Sequence, residues 1–235
     1  MTLLVVIRPQ PGADATLAAA AALGLAARAF PLFEVEPVAW EAPDPADIDA
    51  LLVGSANALR HAGIALERFR DKPAHAVGQA TAAACRAAGL TVAATGSGGL
   101  ERVLADIRGP ARLLRLAGRE HVALSAPPGV ELVERVVYAS NPQPLPPALA
   151  ELLRAPAVVM LHSATAAQHF AAECDRLAVD RARIGLVTIG PRVTAACGPG
   201  WAALATAATP DDAALLAQAR HLCQNRPGSP DRGAG

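Results

Sequence analysis

Gly78 and Thr81 stand where an apolar run meets an alanine-rich one, in Ala74-His75-Ala76-Val77-Gly78-Gln79-Ala80-Thr81. A glycine turn that opens a helix leaves backbone N–H groups free at the positive end of the dipole. Such a start holds an anion without a lysine. An ordinary strand-to-helix turn of an α/β protein has the same residues, so the pattern alone decides nothing.

The pattern recurs. Leu186-Val187-Thr188-Ile189-Gly190-Pro191-Arg192-Val193-Thr194 repeats it, with Gly190 and Thr194 in the corresponding roles. Upstream of each copy lies a second matched pair. Leu51-Leu52-Val53-Gly54-Ser55-Ala56-Asn57 precedes one, and Val158-Val159-Met160-Leu161-His162-Ser163 precedes the other. Both read as strands ending on a serine suited to cap a helix. Two similar α/β halves, each with two strand–turn–helix mouths, imply two lobes facing a shared cleft.

Two further residues could do chemistry. Arg8 follows the apolar strand Leu3 to Ile7, at the carboxyl end where ligands of open α/β sheets bind; a surface ion pair accounts for it equally well. Tyr138 is the only tyrosine and lies on an alternating apolar strand. A core or hinge role, with its hydroxyl on a backbone carbonyl, and a role in the cleft are both open.

The elements that must position these residues follow in chain order. Asp14 or Thr16 is expected to cap a helix that Gly24 stops. Ala26 to Leu32 reads as a second strand, and Phe33 to Val38 as an extended, proline-broken connector. Further strands are expected at Ala50 to Val53, Ala74 to Val77, Thr91 to Ala94, Arg112 to Leu116 and Val130 to Tyr138, before a second connector, Ala139 to Pro142. From Pro146 onward helices and strands alternate. Helix following strand throughout predicts mostly parallel sheets. The expected fold is α/β: two similar parallel-sheet, flavodoxin-like lobes joined by a two-stranded hinge. Residues 1–35 and 140–223 form a discontinuous first lobe, 36–139 the second lobe with the hinge strands, and 224–235 a disordered tail.

Composition narrows the function. The 21 basic and 21 acidic residues cancel, which argues against nucleic-acid binding driven by bulk charge. Lys72 is the only lysine. Arginine is the better bidentate partner for carboxylates, although a GC-rich genome explains the bias too. Gly96-Ser97-Gly98-Gly99 fails the dinucleotide fingerprint because Glu101 takes the third glycine position. Neither a phosphate-binding G-x-x-x-x-G-K-[ST] loop nor a G-x-S-x-G elbow occurs. A nucleotide-dependent transferase or oxidoreductase is therefore disfavoured. His162 and His169 could share a helix face, but no acidic partner sits at metal spacing, and no metal is expected. Cys85, Cys174, Cys197 and Cys223 show no paired spacing and read as buried free thiols of a cytoplasmic protein. No apolar run reaches the ~20 residues a membrane span needs.

Taken together the motifs resemble the uroporphyrinogen-III synthase family. The resemblance rests on Arg8-Pro9 after the first strand, Ser55-Ala56-Asn57-Ala58 after another, and Val77-Gly78 with Thr81-Ala82. It continues through Val137-Tyr138, Ser163, Ile189-Gly190-Pro191 and Thr194-Ala195, and covers Leu3 to about Leu222. Two positions depart from it. Gly54 stands where the family has threonine, and Val193 where the first copy's spacing would put one.

The resemblance implies a lyase of haem biosynthesis that closes hydroxymethylbilane, a linear tetrapyrrole rich in carboxylates, with loss of water and inversion of the last pyrrole. It implies no cofactor. Arg8, Ser55, Asn57, Gly78, Thr81, Ser163, Gly190 and Thr194 become the candidate substrate contacts. Tyr138 becomes the candidate proton donor to the leaving hydroxyl. The expected partner is this small molecule, bound by a monomer that engages neither nucleic acid nor membrane and touches the preceding pathway enzyme transiently. A non-enzymatic two-lobed module that closes on a small anion explains the repeat equally well.

Overall fold

The computed structural model describes residues 2–224. The chain runs β1 (Leu3–Val6), α1 (Gly12–Ala22), β2 (Ala27–Ala29), β3 (Phe33–Pro37), β4 (Ala50–Val53), α2 (Ala56–His61), β5 (Ala74–Val77), α3 (Gln79–Ala87), β6 (Val92–Gly96), α4 (Leu100–Ala105), β7 (Ala111–Gly118) and β8 (Val130–Pro142). It continues α5 (Pro147–Leu152), β9 (Ala157–Leu161), α6 (Ala164–Arg176), β10 (Ile184–Thr188), α7 (Pro191–Ala195), β11 (Ala203–Thr206) and α8 (Asp212–Gln224). Contacts divide it into two units, residues 1–34 with 142–235, and residues 35–141.

The first unit holds a sheet of order β11-β10-β9-β1-β2, and the other sheet has the order β3-β8-β7-β4-β5-β6. The pairings β1–β2, β1–β9, β9–β10 and β10–β11 are parallel, as are β4–β5, β4–β7, β5–β6 and β7–β8. The two sheets share one spatial order. Read from β7, the strands β7, β8, β4, β5 and β6 take the places of β1, β2, β9, β10 and β11. The connectivity is permuted while the arrangement is kept. This explains why the repeated motifs match β4 to β9 and β5 to β10. The order reverses between β1 and β9 in one sheet and between β7 and β4 in the other, which are the switch points where open α/β sheets bind ligands.

Central strands read as continuous apolar runs because helices cover both faces. All residues of β4, β9 and β10 are buried. Alternation splits β9 between two cores: Val159 and Leu161 join Phe170 of α6, while Val158 and Met160 join Leu215 and Leu216 of α8.

Several expectations change. The connector read at Phe33 to Val38, one of the two expected hinge strands, is strand β3 over Phe33–Pro37 at a sheet edge, where Pro37 is tolerated. Likewise β8 runs on to Pro142, four residues beyond Tyr138. Strand β2 is confined to Ala27–Ala29. Neither Asp14 nor Thr16 caps α1. Pro11 holds the cap position without a side-chain hydrogen bond, and Thr16 lies inside the helix with its hydroxyl oxygen 3.1 Å from the Gly12 carbonyl. Helix α8 includes Gln224, the first residue of the expected tail, and the rest of the 224–235 segment lies outside the described residues.

Helix does not follow strand throughout. Residues 119–129 join the parallel strands β7 and β8 without a helix. Pro127 and Pro128 disfavour one there. A charged network holds this crossover instead. Arg115, only 3% exposed, donates from Nη2 to the Val122 carbonyl at 2.8 Å and from Nη1 to Glu134. His121 joins the Gly118 carbonyl to the same carboxylate, at 2.7 Å on each side.

Candidate functional site

The residues singled out in sequence fall at the carboxyl edges of the two sheets. In the first unit Arg8 leaves β1 at the switch point. Its Nη1 donates to both carboxylate oxygens of Asp212, at 3.0 and 2.9 Å, and lies 3.3 Å from Thr16 Oγ1. Thr16 donates to Asp212 at 2.7 Å, and His162 Nε2 meets the same carboxylate at 3.0 Å. An ionised carboxylate only accepts, so Nε2 carries the ring proton. The other ring nitrogen, Nδ1, is buried with no hydrogen-bond partner among the described residues.

Electrostatics follow from these contacts. Burial pushes the His162 pKa below its ordinary value, and the charge of Arg8 adds to this, against the opposing pull of Asp212. Burial opposes ionisation of Asp212. Hydrogen bonds from His162 and Thr16, with the charges of His162 and Arg8, outweigh it and hold the carboxyl at about 2. At neutral pH the cluster is therefore Arg⁺, Asp⁻ and neutral His. His162 and His169 do not share a helix face. His162 precedes the cap of α6, whereas His169 lies within that helix and bonds the Gln143 carbonyl at 2.8 Å.

Ser163 caps α6 by accepting from Ala166 N at 3.1 Å. Ser55 caps α2 by accepting from Asn57 N at 3.2 Å. Asn57 itself turns to Arg60, accepting from its guanidinium at 3.0 Å. Gly54, one residue before Ser55, has a local cause. A Cβ there would stand 2.7 Å from Leu100 Cδ1, so Leu100 fills the space a threonine side chain would need.

The two glycine–threonine turns differ. Gly78 has φ +77°, a left-handed conformation that favours glycine. Thr81 is buried in the first turn of α3 and makes no side-chain hydrogen bond among the described residues. Gly190 instead is extended, with φ 178°. Thr194 comes four residues after its glycine, not three, and turns back to the sheet. Its hydroxyl meets Thr188 Oγ1 at 2.5 Å, Thr206 Oγ1 at 2.7 Å and the Gly190 carbonyl at 3.2 Å. Val193, at the position equivalent to Thr81, is buried in the core.

Tyr138 owes its place to a register shift. Ala117 pairs with Val136, but Gly118 pairs with Tyr138, so Val137 is skipped. Such an irregularity re-aims side chains. Val137 and Tyr138, neighbours in sequence, thereby both pack on the core around Leu116, which strict alternation would forbid. The phenol lies against Gly118, where a Cβ would stand 2.6 Å from Cζ and 2.9 Å from the hydroxyl oxygen. Its hydroxyl has no hydrogen bond to a protein group among the described residues. The ring of His61, from the last turn of α2, is 6.4 Å away between centroids. Burial, helped by the charge of Arg60, lowers the His61 pKa.

Sequence reasoning missed Asp212, His61 and Arg119. Asp212 is distant in sequence from every residue it holds, so no local pattern announces it. Arg119 follows β7 as Arg8 follows β1, and the shared strand order shows the correspondence. Among the described residues no group of His, Cys, Asp and Glu is arranged to hold a metal ion, and no helix is long and apolar enough to cross a membrane.

Fold and site together define an α/β protein whose two mostly parallel sheets direct hydroxyls, arginines and helix starts to their carboxyl edges. A family model described as Uroporphyrinogen-III synthase HemD matches residues 14–217, and the chain belongs to this family of tetrapyrrole biosynthesis. Among solved structures, the uroporphyrinogen-III synthetase of Helicobacter pylori 26695 superposes with a TM-score of 0.64 at 18% identity, covering 94% of this chain and 100% of that one. A mutant uroporphyrinogen III synthase from the extremely thermophilic bacterium Thermus thermophilus gives 0.59 at 17% identity, covering 96% and 100%. Comparison with curated protein sequences gives no match.

Proposed function

We propose that this chain cyclises hydroxymethylbilane to uroporphyrinogen III as a cofactor-independent lyase, with loss of water and inversion of the last pyrrole. The match to the family model over residues 14–217 carries the reading. The unaided chain closes without inversion, so the protein must orient the last ring, which is a positioning task, and accommodate a developing cation. Arg8, Ser55, Asn57, Gly78, Thr81, Ser163, Gly190 and Thr194 are assigned to the substrate's carboxylates. Arg8 acts through its guanidinium; the serines and glycines act through the helix starts they cap or open. The bonds of Thr194 to Thr188 and Thr206 favour a supporting role at that edge.

Tyr138 is assigned as proton donor to the leaving hydroxyl. A phenol of reference pKa ~10 is protonated at neutral pH. Its support is the hydroxyl without a protein partner among the described residues, held against Gly118 by the register shift. We further read the units as flavodoxin-like lobes, since the order of the first sheet, renumbered within its unit, is 2-1-3-4-5. Strand β3 and the end of β8 then serve as the hinge between them.

The test is incubation with enzymatically made hydroxymethylbilane in the presence of a strong chelator, followed by oxidation and isomer analysis. Type III isomer is the expected product. Recovery of substrate or type I isomer alone would leave the anion-binding module as the better reading, and dependence on a divalent ion would remove the proposed mechanism.

A further inference from the structure

Arg8 uses only part of its guanidinium within the protein. Nη1 makes all of its bonds, to Asp212 and Thr16. Nε and Nη2 have no hydrogen-bond partner among the described residues and are not buried, in a side chain 30% exposed. This free edge is the planar fork that takes a carboxylate bidentately. It lies over Gly12, the first residue of α1, where a Cβ would stand 2.5 Å from Nε and 2.8 Å from Nη2. The guanidinium thus sits at the positive end of a helix, a place that disfavours a cation and welcomes an anion.

Asp212 holds the other side of this arrangement. It is the first residue of α8, where a carboxylate is favoured. Thr16 and His162 fix its oxygens from two further directions. A solvent-exposed arginine is otherwise free to adopt many rotamers, and a ligand that needs one of them pays for the ordering. Here the ordering is already done. Resting on the reading proposed above, we propose that Asp212 is a positioning residue that aims the Nε/Nη2 edge of Arg8 at one carboxylate of the substrate, with His162 and Thr16 holding Asp212 in turn.

Two effects of Asp212 oppose each other. Its charge repels an incoming carboxylate, while its hydrogen bonds orient the fork. The pair shares one guanidinium nitrogen and leaves Nε and Nη2 without a hydrogen-bond partner among the described residues, so orientation prevails. Steady-state kinetics with hydroxymethylbilane and fluorescence titration with uroporphyrin III, the oxidised product, separate the two. Arg8→Ala and Asp212→Asn should each raise KM about tenfold with kcat changed less than about threefold, and the double variant should be no worse than Arg8→Ala, because the two residues act as a unit. Uroporphyrin affinity should fall in parallel, and Asp212→Glu should restore part of it. Thermal melts establish that each variant is folded.

Tighter binding by Asp212→Asn, additive effects, or a change in melting alone would overturn the proposal while type III turnover by the wild type still stood. Wild-type protein that binds uroporphyrin without turnover would sink the reaction and leave the fork to be judged by the titrations. Protein that does neither would sink both.

Discussion

Arg8 and Asp212, separated by 204 positions in sequence, meet through two hydrogen bonds from a single guanidinium nitrogen. The contact joins the end of β1 to the start of α8, the first and last parts of a discontinuous unit. Its consequence for stability can be read from the carboxylates. Asp212 is held at about 2 against an ordinary 3.8: burial opposes the charge, and the bonds from His162 and Thr16 overcome it. Glu173 is also held at about 2, chiefly by the two hydrogen bonds from Arg176, with a further 2.6 Å bond from Leu145 N.

A carboxylate whose pKa is depressed on folding leaves the unfolded chain binding more protons than the native one. Stability is therefore complete above the unfolded values and lost as pH falls through the folded ones. The first unit should lose stability between about pH 4.5 and about pH 2 for this reason. Glu173→Gln should cost about 1 kcal/mol or somewhat more at neutral pH, below the ~1.5–3 kcal/mol of a fully buried charged hydrogen bond because water screens the half-exposed Arg176. It should also flatten the acid slope. Urea titrations at successive pH values check both. A variant with the wild-type slope would show that Glu173 does not drive acid unfolding.

The cysteines offer a second test. Cys85, Cys174 and Cys197 are buried, whereas Cys223 is half-buried. Burial pushes the Cys174 thiol up to about 12 and Cys197 to about 11, and raises Cys85 as well. The thiolate is the reactive form, so these three should be inert in the native state. A disulfide exchange reagent should label Cys223 alone before denaturation and all four afterwards. Peptide mapping that finds Cys174 labelled at the native rate would contradict the packing around Phe170.

Local sequence carried much of the fold. The caps at Ser55 and Ser163, the turn at Gly78 and the apolar strands β4, β9 and β10 depend on residues close together, and each stands where the pattern placed it. What failed depended on distance. Sequence offered β3 and the end of β8 only as proline-broken connectors able to pair, and the extent of each strand, to Pro37 and Pro142, is set by the tertiary pairing. No local pattern announces how the crossover from β7 to β8 is held, because the network of Arg115, His121 and Glu134 joins residues from both strands and the loop. The site divided in the same way. Arg8 was visible at the end of a strand, yet Asp212 is brought to it only by tertiary folding. The match of Thr194 to Thr81 hid a one-residue offset that turns one hydroxyl into the sheet.

Gly54 is a position where packing takes the place of a side chain. Its missing side chain is replaced by Leu100, whose Cδ1 and Cγ would stand 2.7 and 3.1 Å from an added Cβ. Overpacking of this kind typically costs about 1–3 kcal/mol. Gly54→Thr should destabilise by that amount, and Leu100→Ala in the same chain should recover part of it. Melting temperatures of the two single variants and the double variant decide the matter. Strict additivity would show that the two positions do not compete for the same space.

Tyr138 and Gly118 give the sharpest test of the proposed chemistry. Tyr138→Phe keeps the ring and removes only the hydroxyl. If that hydroxyl protonates the leaving group, turnover should fall by roughly 100-fold or more. Gly118→Ala keeps the hydroxyl but places a methyl group 2.6 Å from Cζ of the native ring, so the phenol must move. General acid catalysis requires hydrogen-bond reach, so a displaced donor should lose at least tenfold. The two losses should not multiply in the double variant, since a phenyl ring in the wrong place has no proton left to misdirect. Thermal melts at matched folded fraction separate these effects from simple destabilisation. Normal turnover by Tyr138→Phe would remove the tyrosine from the chemistry. Should Gly118→Ala still lose activity in that case, the ring would act by shape, and the proton would have to come from water or from the substrate's own carboxyl groups.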